Sequence, residues 1–331
     1  MLSRRALLSR LAVLAATGGA VWLVRDRLPW LGPKITFAGD QPTPWLPVVG
    51  EGVLLEVEVR VNGREVRAVI DSGAQFSAID SALAQHLQLP RTTALPFLAY
   101  GVSGAPSVTH TVALDLALPG LAAPGLRAAT LDIQELSGIT GRDFALLIGR
   151  DLLSRAVMEV DMSQRRLRLL PPETYTPPRD ALMIPLQMRQ GAPMAEVRIE
   201  DGPPIQVLID TGANSVLALS SDAAQRAGLL ATERELGAAR SVGLGGVALN
   251  RRVRVKRLRI GSLSLQGVPV LVYEAAHHAP APEGLLGSGF LRRYRYALDL
   301  PGRRLSLTPP TPMIVPRLPE RSRQVRRSPG S

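Results

Sequence analysis

From residue 55 onward, apolar and polar positions alternate with a period of two: Leu55, Val57, Val59 and Val61 are separated by Glu56, Glu58 and Arg60. That period predicts a strand with one face buried. Asn62-Gly63 follows, a dipeptide suited to a tight hairpin turn, and Arg64 to Ile70 returns as the partner strand. Helical signals are brief. Asp80 can cap a short helix over 81–87, and Ser220 or Ser221 can cap one over 222–227. A second alternating stretch runs through Arg251, Arg252, Val253, Arg254, Val255, Lys256, Arg257 and Arg259 and reads as a strand with a solvated basic face; an acidic or anionic-membrane contact is the minority reading. The texture is mostly β, in small barrels joined by Gly- and Pro-rich turns.

The chain is written twice. Val69-Ile70-Asp71-Ser72-Gly73-Ala74 recurs as Leu208-Ile209-Asp210-Thr211-Gly212-Ala213, and Leu147-Ile148-Gly149 recurs as Leu285-Leu286-Gly287. The stretch from Asp161 to Pro172 matches that from Asp299 to Pro310 at seven of twelve positions. Three landmarks in one order and at nearly one spacing mean a duplicated domain. The divisions follow: 1–28 an N-terminal address segment, 29–50 an extended Pro-rich lead-in, 51–170 the first lobe, 171–180 a stiff linker, 181–308 the second lobe, and 309–331 a disordered basic tail.

Composition narrows the function. The chain has 331 residues, 46% hydrophobic and 20% charged, enough to bury a core and too apolar for global disorder. It has no Cys, which excludes a disulfide scaffold, a thiol nucleophile and Cys-ligated metals. No run of about 18 apolar residues makes it a polytopic membrane protein. The net charge of +11 sits at the ends, six basic residues and one acid within 1–34 and seven Arg with one Glu within 303–331. The body is neutral and carries no nucleic-acid motif, so no nucleic-acid partner is expected. His86, His110, His277 and His278 lack metal-ligand spacing, so neither metal nor cofactor is expected.

At the N-terminus Arg4-Arg5 precedes the apolar stretch Leu11 to Val24. Fourteen residues span roughly 21 Å as a helix, short of the ~30 Å hydrocarbon core, which favours an export signal of twin-arginine kind. An uncleaved anchor starting near Ala6 is the alternative. The expectation is an exported, periplasmic body, soluble or held to the membrane by this segment.

Two repeat-matched aspartates have a chemical use. Carboxyls held about 3 Å apart cannot both ionise and share one proton. The ionised one can take a proton from water while the protonated one donates to a scissile carbonyl oxygen. Gly73 and Gly212 let backbone N–H groups approach, and Ser72 and Thr211 can hydrogen-bond across the interface.

Ile70-Asp71-Ser72-Gly73-Ala74 and Ile209-Asp210-Thr211-Gly212-Ala213 resemble the active-site loops of retropepsin-like aspartic proteases, and Leu147-Ile148-Gly149-Arg150-Asp151-Leu152-Leu153 resembles that family's second signature. The resemblance spans about 51–308 and is to the exported bacterial type with both halves fused, so a bilobal, pepsin-like arrangement is implied. It implies an aspartic endopeptidase acting on peptide or protein substrates as a monomer, with Asp71 and Asp210 catalytic. A catalytically silent peptide-binding or envelope scaffold protein is the alternative. It also implies substrate-covering flaps, at Tyr100, Gly101 and Val102 and at Gly243, Leu244 and Gly245. The halves differ where Gly287-Ser288-Gly289 replaces Gly149-Arg150-Asp151, so only Arg150 could make the family's structural ion pair, and where Val216 stands in the place of Ser77.

Overall fold

The computed structural model describes residues 32–92, 97–99, 107–133, 143–231, 235–243, 246–274 and 282–309. The expected hairpin forms, Glu56–Val61 against Arg64–Ile70, with Val61 opposite Arg64. Asn62 (φ 49°) and Gly63 (φ 84°) are both left-handed, the conformation a two-residue turn needs to follow the twist of its strands.

Six strands close the first barrel in the order Leu121–Leu131, Ala78–Asp80, Leu146–Ile148, Arg64–Ile70, Glu56–Val61 and Thr111–Leu118, the last pairing back onto the first. The second barrel repeats the ring with Ala192–Ile199, Pro204–Asp210, Gly284–Gly287, Leu217–Ser220, Leu263–Tyr273 and Gly246–Ile260, closed by the pairing of the last with the first. The duplicated, retropepsin-like bilobal architecture is therefore present.

In each barrel the strand that leads into an aspartate lies beside a parallel neighbour: Ile70 faces Ile148, and Asp210 faces Gly287. Strands covered on both faces need continuous apolar runs, which explains Val69-Ile70 and Leu146-Leu147-Ile148. Each aspartate thus emerges where a buried strand stops. The caps fall where expected. The Asp80 side chain accepts from the N–H groups of Ala82 and Leu83 at the start of helix Ser81–His86, and Ser220, rather than Ser221, caps Ser221–Arg226.

A third sheet joins the lobes. Its order is Leu182–Pro185, Arg304–Thr308, Arg295–Asp299, Val157–Asp161, Arg166–Leu170 and Leu46–Pro47. At its centre Glu159 pairs with Ala297, its own repeat equivalent, so the pseudo-twofold axis passes between them. Asp161 and Asp299 close the same turn in each copy, accepting from the N–H of Gln164 and of Gly302. That shared task accounts for the Asp at the head of the repeated stretch. One continuous core, including Val57, Leu146, Val160, Val207, Leu286 and Leu298, runs through both barrels and this sheet.

The lead-in and linker are extended but docked. Phe37, Leu46 and Val48 are buried, Thr36–Phe37 pairs with Leu121 and Ala122, and Leu46–Pro47 forms an edge of the joining sheet. Tyr175 of the linker packs with Val157, Leu170 and Ala297, and its hydroxyl meets that of Ser306. On the basic strand Val253 and Val255 are buried while Arg252, Arg254 and Lys256 are exposed, the alternation the sequence predicts. The address segment 1–28 and all but Pro309 of the tail lie outside the described residues; no described helix is long and apolar enough to cross a membrane.

Because the lead-in is part of the core, Leu46→Ala should cost about 2–4 kcal/mol, the range for a buried Leu. Urea unfolding of the two proteins checks this. A change below about 0.5 kcal/mol would mean that the lead-in is a loose strap.

Candidate active site

The loops that follow the two buried strands are locked to each other by four hydrogen bonds. The Ser72 N–H donates to Thr211 Oγ1 (2.9 Å), and the Ser72 hydroxyl donates to the Ile209 carbonyl (2.8 Å). Reciprocally, the Thr211 N–H donates to Ser72 Oγ (3.1 Å) and the Thr211 hydroxyl to the Ile70 carbonyl (2.9 Å). Both side chains are fully buried. Each hydroxyl gives and accepts across the interface, a task that either Ser or Thr can perform. Each bond adds only about 1 kcal/mol net, but an orphaned partner at this depth costs about 1–3 kcal/mol, so the grid is effectively all or none.

The lock brings Asp71 and Asp210 together. A Cβ on Gly73 would lie 2.5 Å from Asp210 Oδ1, and one on Gly212 would lie 2.5 Å from Asp71 Cγ. Each carboxyl therefore rests against the bare backbone of the opposite loop, an approach that only glycine permits. Within its own loop Asp71 Oδ1 accepts from the N–H groups of Gly73 (2.7 Å) and Ala74 (3.3 Å). Asp210 Oδ1 accepts from Gly212 (2.9 Å) and Ala213 (3.0 Å). Each carboxyl so placed lies close to the loop that carries the other. Burial, then the neighbouring Asp71 carboxyl, push Asp210 up to about 8, against the pull of the Gly212 and Ala213 N–H groups. Burial of Asp210 and the like charge beside it both favour a proton kept on the pair.

Beneath the loops the lobes differ. Arg150, at the start of helix Arg150–Leu153, donates from one guanidinium nitrogen to the carbonyls of Ser72 (2.8 Å) and Gly73 (2.7 Å). The ion pair expected at Arg150 is not among the described ones; carbonyl oxygens take its place. In the second lobe Ser288 donates its hydroxyl to the Thr211 carbonyl (2.7 Å). Asp151 Oδ1 accepts from the Ser77 N–H (3.1 Å), the Ser77 hydroxyl (2.8 Å) and the Leu152 N–H (3.0 Å), while burial pushes its carboxyl upward. Val216 and Gly289 replace this pair together, and a Cβ at Gly289 would meet the backbone of Asn214 and Ser215 within 3 Å. Ser77, Asp151 and Ser288 escape sequence reasoning. Their positions stood out as differences between the copies, but nothing in the sequence joins residue 77 to residue 151.

Val69 and Leu208 stand two residues before the aspartates, on the same strand face. Around Val69 cluster Ala78, Ala129, Leu131, Ile133 and Phe144; around Leu208 cluster Met194, Ala218, Tyr273 and Leu285. An apolar wall thus adjoins each carboxyl. Tyr273 donates its hydroxyl to the Pro282 carbonyl (2.6 Å), and burial, with the Asp210 and Glu283 charges, pushes its phenol upward.

Of the flap residues, Tyr100, Gly101 and Val102 lie outside the described residues, as do Leu244 and Gly245. Their flanks are antiparallel hairpins: Phe97–Ala99 pairs with Ser107–Thr109, and Gly243 lies opposite Gly246 at the end of Glu235–Gly243.

Comparison with known proteins gives two findings. The family described as aspartyl protease matches this chain twice, over residues 57–152 and 195–290. The chain is also 30% identical over 124 residues to the UBA domain-containing protein Mud1 of Schizosaccharomyces pombe, a match covering 37% of this chain and 35% of that protein. The chain thus spans about a third of the length of that curated relative.

A carboxyl raised to about 8 binds its proton more tightly in the folded chain than in the unfolded one. Its contribution to stability is therefore fully present below about pH 4 and lost as pH rises through about 8. Asp210→Asn, which keeps the shape without the charge, should raise the thermal midpoint at pH 8 by at least about 2 °C, and the gain should vanish near pH 4. Calorimetry across that range checks it; equal midpoints at pH 8 would mean that the carboxyl is not strained by its site.

Proposed function

This chain belongs to the aspartyl protease family, with its retropepsin-like unit present twice, and on that premise we propose that it is an aspartic endopeptidase with one dyad per chain. The observation that carries the reading is the approach of Asp71 and Asp210, one from each lobe, each against the glycine of the opposite loop, with burial and the Asp71 charge pushing Asp210 upward. A peptide laid across the pair meets an ionised carboxyl that can take a proton from water and a protonated carboxyl that can give one to the scissile carbonyl oxygen. The Ser72–Thr211 lock holds the geometry, so little reorganisation is left for the moment of reaction.

The body is proposed to act outside the cytoplasm, sent there by Arg4-Arg5 and the Leu11 to Val24 stretch. A reporter fused after Ser331 should be active only in the periplasm, and cytoplasmic activity would exclude export.

The purified chain should cleave a mixed peptide library, and a pepstatin-type inhibitor should stop it. Asp71→Asn and Asp210→Asn should each lower the rate by about 100-fold or more, since one carboxyl cannot be both acid and base. No cleavage by the native chain, with peptides still bound, would support the silent binding protein instead.

Both aspartates lie on one chain, and the two lobes share a core and a sheet. Specific activity should stay flat on serial dilution, with the active species sedimenting as a monomer. A fall in specific activity in step with dissociation of a dimer would place the dyad between chains.

A further inference from the structure

The strand Gly246–Ile260 carries a row of cations for which peptide hydrolysis has no use. Arg252, Arg254, Lys256 and Arg259 are exposed on it, while Val253, Val255 and Leu258 between them are buried in the second barrel. Across the ladder Arg259 lies directly opposite Arg198, a like-charge pairing that costs stability. On the other side the strand's neighbours Ser264, Gln266 and Pro269 are exposed and uncharged. Nearby acids take up part of the charge: Glu196 pairs with Arg198 (3.0 Å) and Asp201 with Arg257 (2.6 Å), and the Glu200 carboxylate accepts from the Lys256 backbone N–H (3.1 Å). The guanidinium groups of Arg252, Arg254 and Arg259 donate to neutral carbonyls, of Leu236 (3.4 Å), Gly267 (3.2 Å) and Glu200 (3.2 Å).

The first barrel shows that the fold does not require this row. Val112 lies opposite Ala128 as Val253 lies opposite Val270, and Ala117 lies opposite Arg60 as Arg259 lies opposite Arg198. By that register Thr111, Ala113 and Ala117 hold the places of Arg252, Arg254 and Arg259. The equivalent strand, Thr111–Leu118, is built without a single cation. The body of the chain is neutral as a whole, so the row is a local segregation of charge onto one sheet face.

We propose that this face docks on an anionic lipid bilayer, its arginines taking the headgroup phosphates. From Arg252 to Arg259 the row runs about 24 Å, some three times the ~8 Å screening length at physiological salt. A compact anion would meet part of such a row, and an extended charged surface meets all of it. The planar guanidinium fork fits phosphate oxygens, and every cation of the row except Lys256 is Arg. The strand's backbone is paired along one side by Leu263–Tyr273, and at the two ends of the other by Glu235–Gly243 and Ala192–Ile199. An acidic peptide therefore finds no long open edge to join as an added strand. The Leu11 to Val24 stretch, read as export signal or anchor, brings the body beside a bilayer. The proposal does not depend on the protease reading.

The chain has no Cys, so a single introduced thiol can carry a fluorophore to one chosen place. Ser264→Cys puts it opposite Arg259, and Ala122→Cys puts it opposite Ala117, the matching place on the first barrel. Both positions are exposed. The labelled full chains are mixed with phosphatidylcholine vesicles that contain phosphatidylglycerol and a spin-labelled headgroup lipid, which quenches fluorophores close to it. The Leu11 to Val24 stretch and the tail are the same in every chain, so their own lipid contacts raise both labels alike. The Ser264→Cys label should be quenched and the Ala122→Cys label far less, and added salt should reverse the difference as it screens the charges. Arg252→Thr with Arg254→Ala and Arg259→Ala installs only what the first barrel holds. It should move half-quenching to about 100-fold more lipid, each cation near an anionic surface being worth about fivefold. Equal quenching of the two labels overturns the proposal, as does quenching that persists in the triple variant or on phosphatidylcholine alone. So does a native chain that binds polyglutamate or duplex DNA while its Ser264→Cys label stays unquenched by lipid, which would assign the face to an acidic protein or a nucleic acid. If the triple variant does not fold, the comparison of the two labels decides alone.

Discussion

Two carboxyls are forced into one largely buried spot, and much of the architecture answers the repulsion that follows. Left free, Asp71 and Asp210 would separate or flood. They cannot separate because Ser72 and Thr211 grip the opposite loop's backbone through reciprocal hydrogen bonds. Nor does a side chain stand between them, because Gly73 and Gly212 bring bare backbone against each carboxyl. The remaining relief is chemical, the retention of one proton. The fold thus converts an electrostatic penalty into an acid and a base side by side, a stability cost accepted for reactivity.

Holding the loops is a task for the whole body. A small displacement at the dyad would break the lock, so the lobes must not rock freely. The joining sheet prevents this: its central strands pair residue for residue about the pseudo-twofold axis, and the lead-in extends it on one edge. Duplication supplied the symmetry, and later change was allowed where symmetry is not needed. Val216 and Gly289 stand where the other copy has Ser77 and Asp151, and Ser288 where it has Arg150, while the glycines that meet the carboxyls are matched. The asymmetry lies one layer beneath the dyad.

Much of this was legible because local chemistry and fold agree. Asn62-Gly63 is a turn in any context, Asp80 and Ser220 sit directly before their helices, and the repeat exposes the aspartate pair without reference to geometry. What escaped depends on contacts far apart in sequence. Leu46–Pro47 is too short to show a period, so its place at the sheet edge was invisible. Tyr175 sits in a Pro-rich linker that looked like a bare tether, yet its ring packs into the joining sheet. The family resemblance implied an ion pair at Arg150, but it meets two carbonyls that only the folded loop presents.

The central claim is that a proton held between Asp71 and Asp210 drives peptide hydrolysis. Its most direct test is the alkaline side of the pH dependence of kcat/KM for a cleaved peptide, where the free enzyme loses that proton. The account predicts a fall centred near pH 8, where Asp210 gives up its proton, and no such limb attributable to the substrate alone. A rate that holds level through pH 9 would contradict it, since catalysis would then proceed with both carboxyls ionised and no acid in the site.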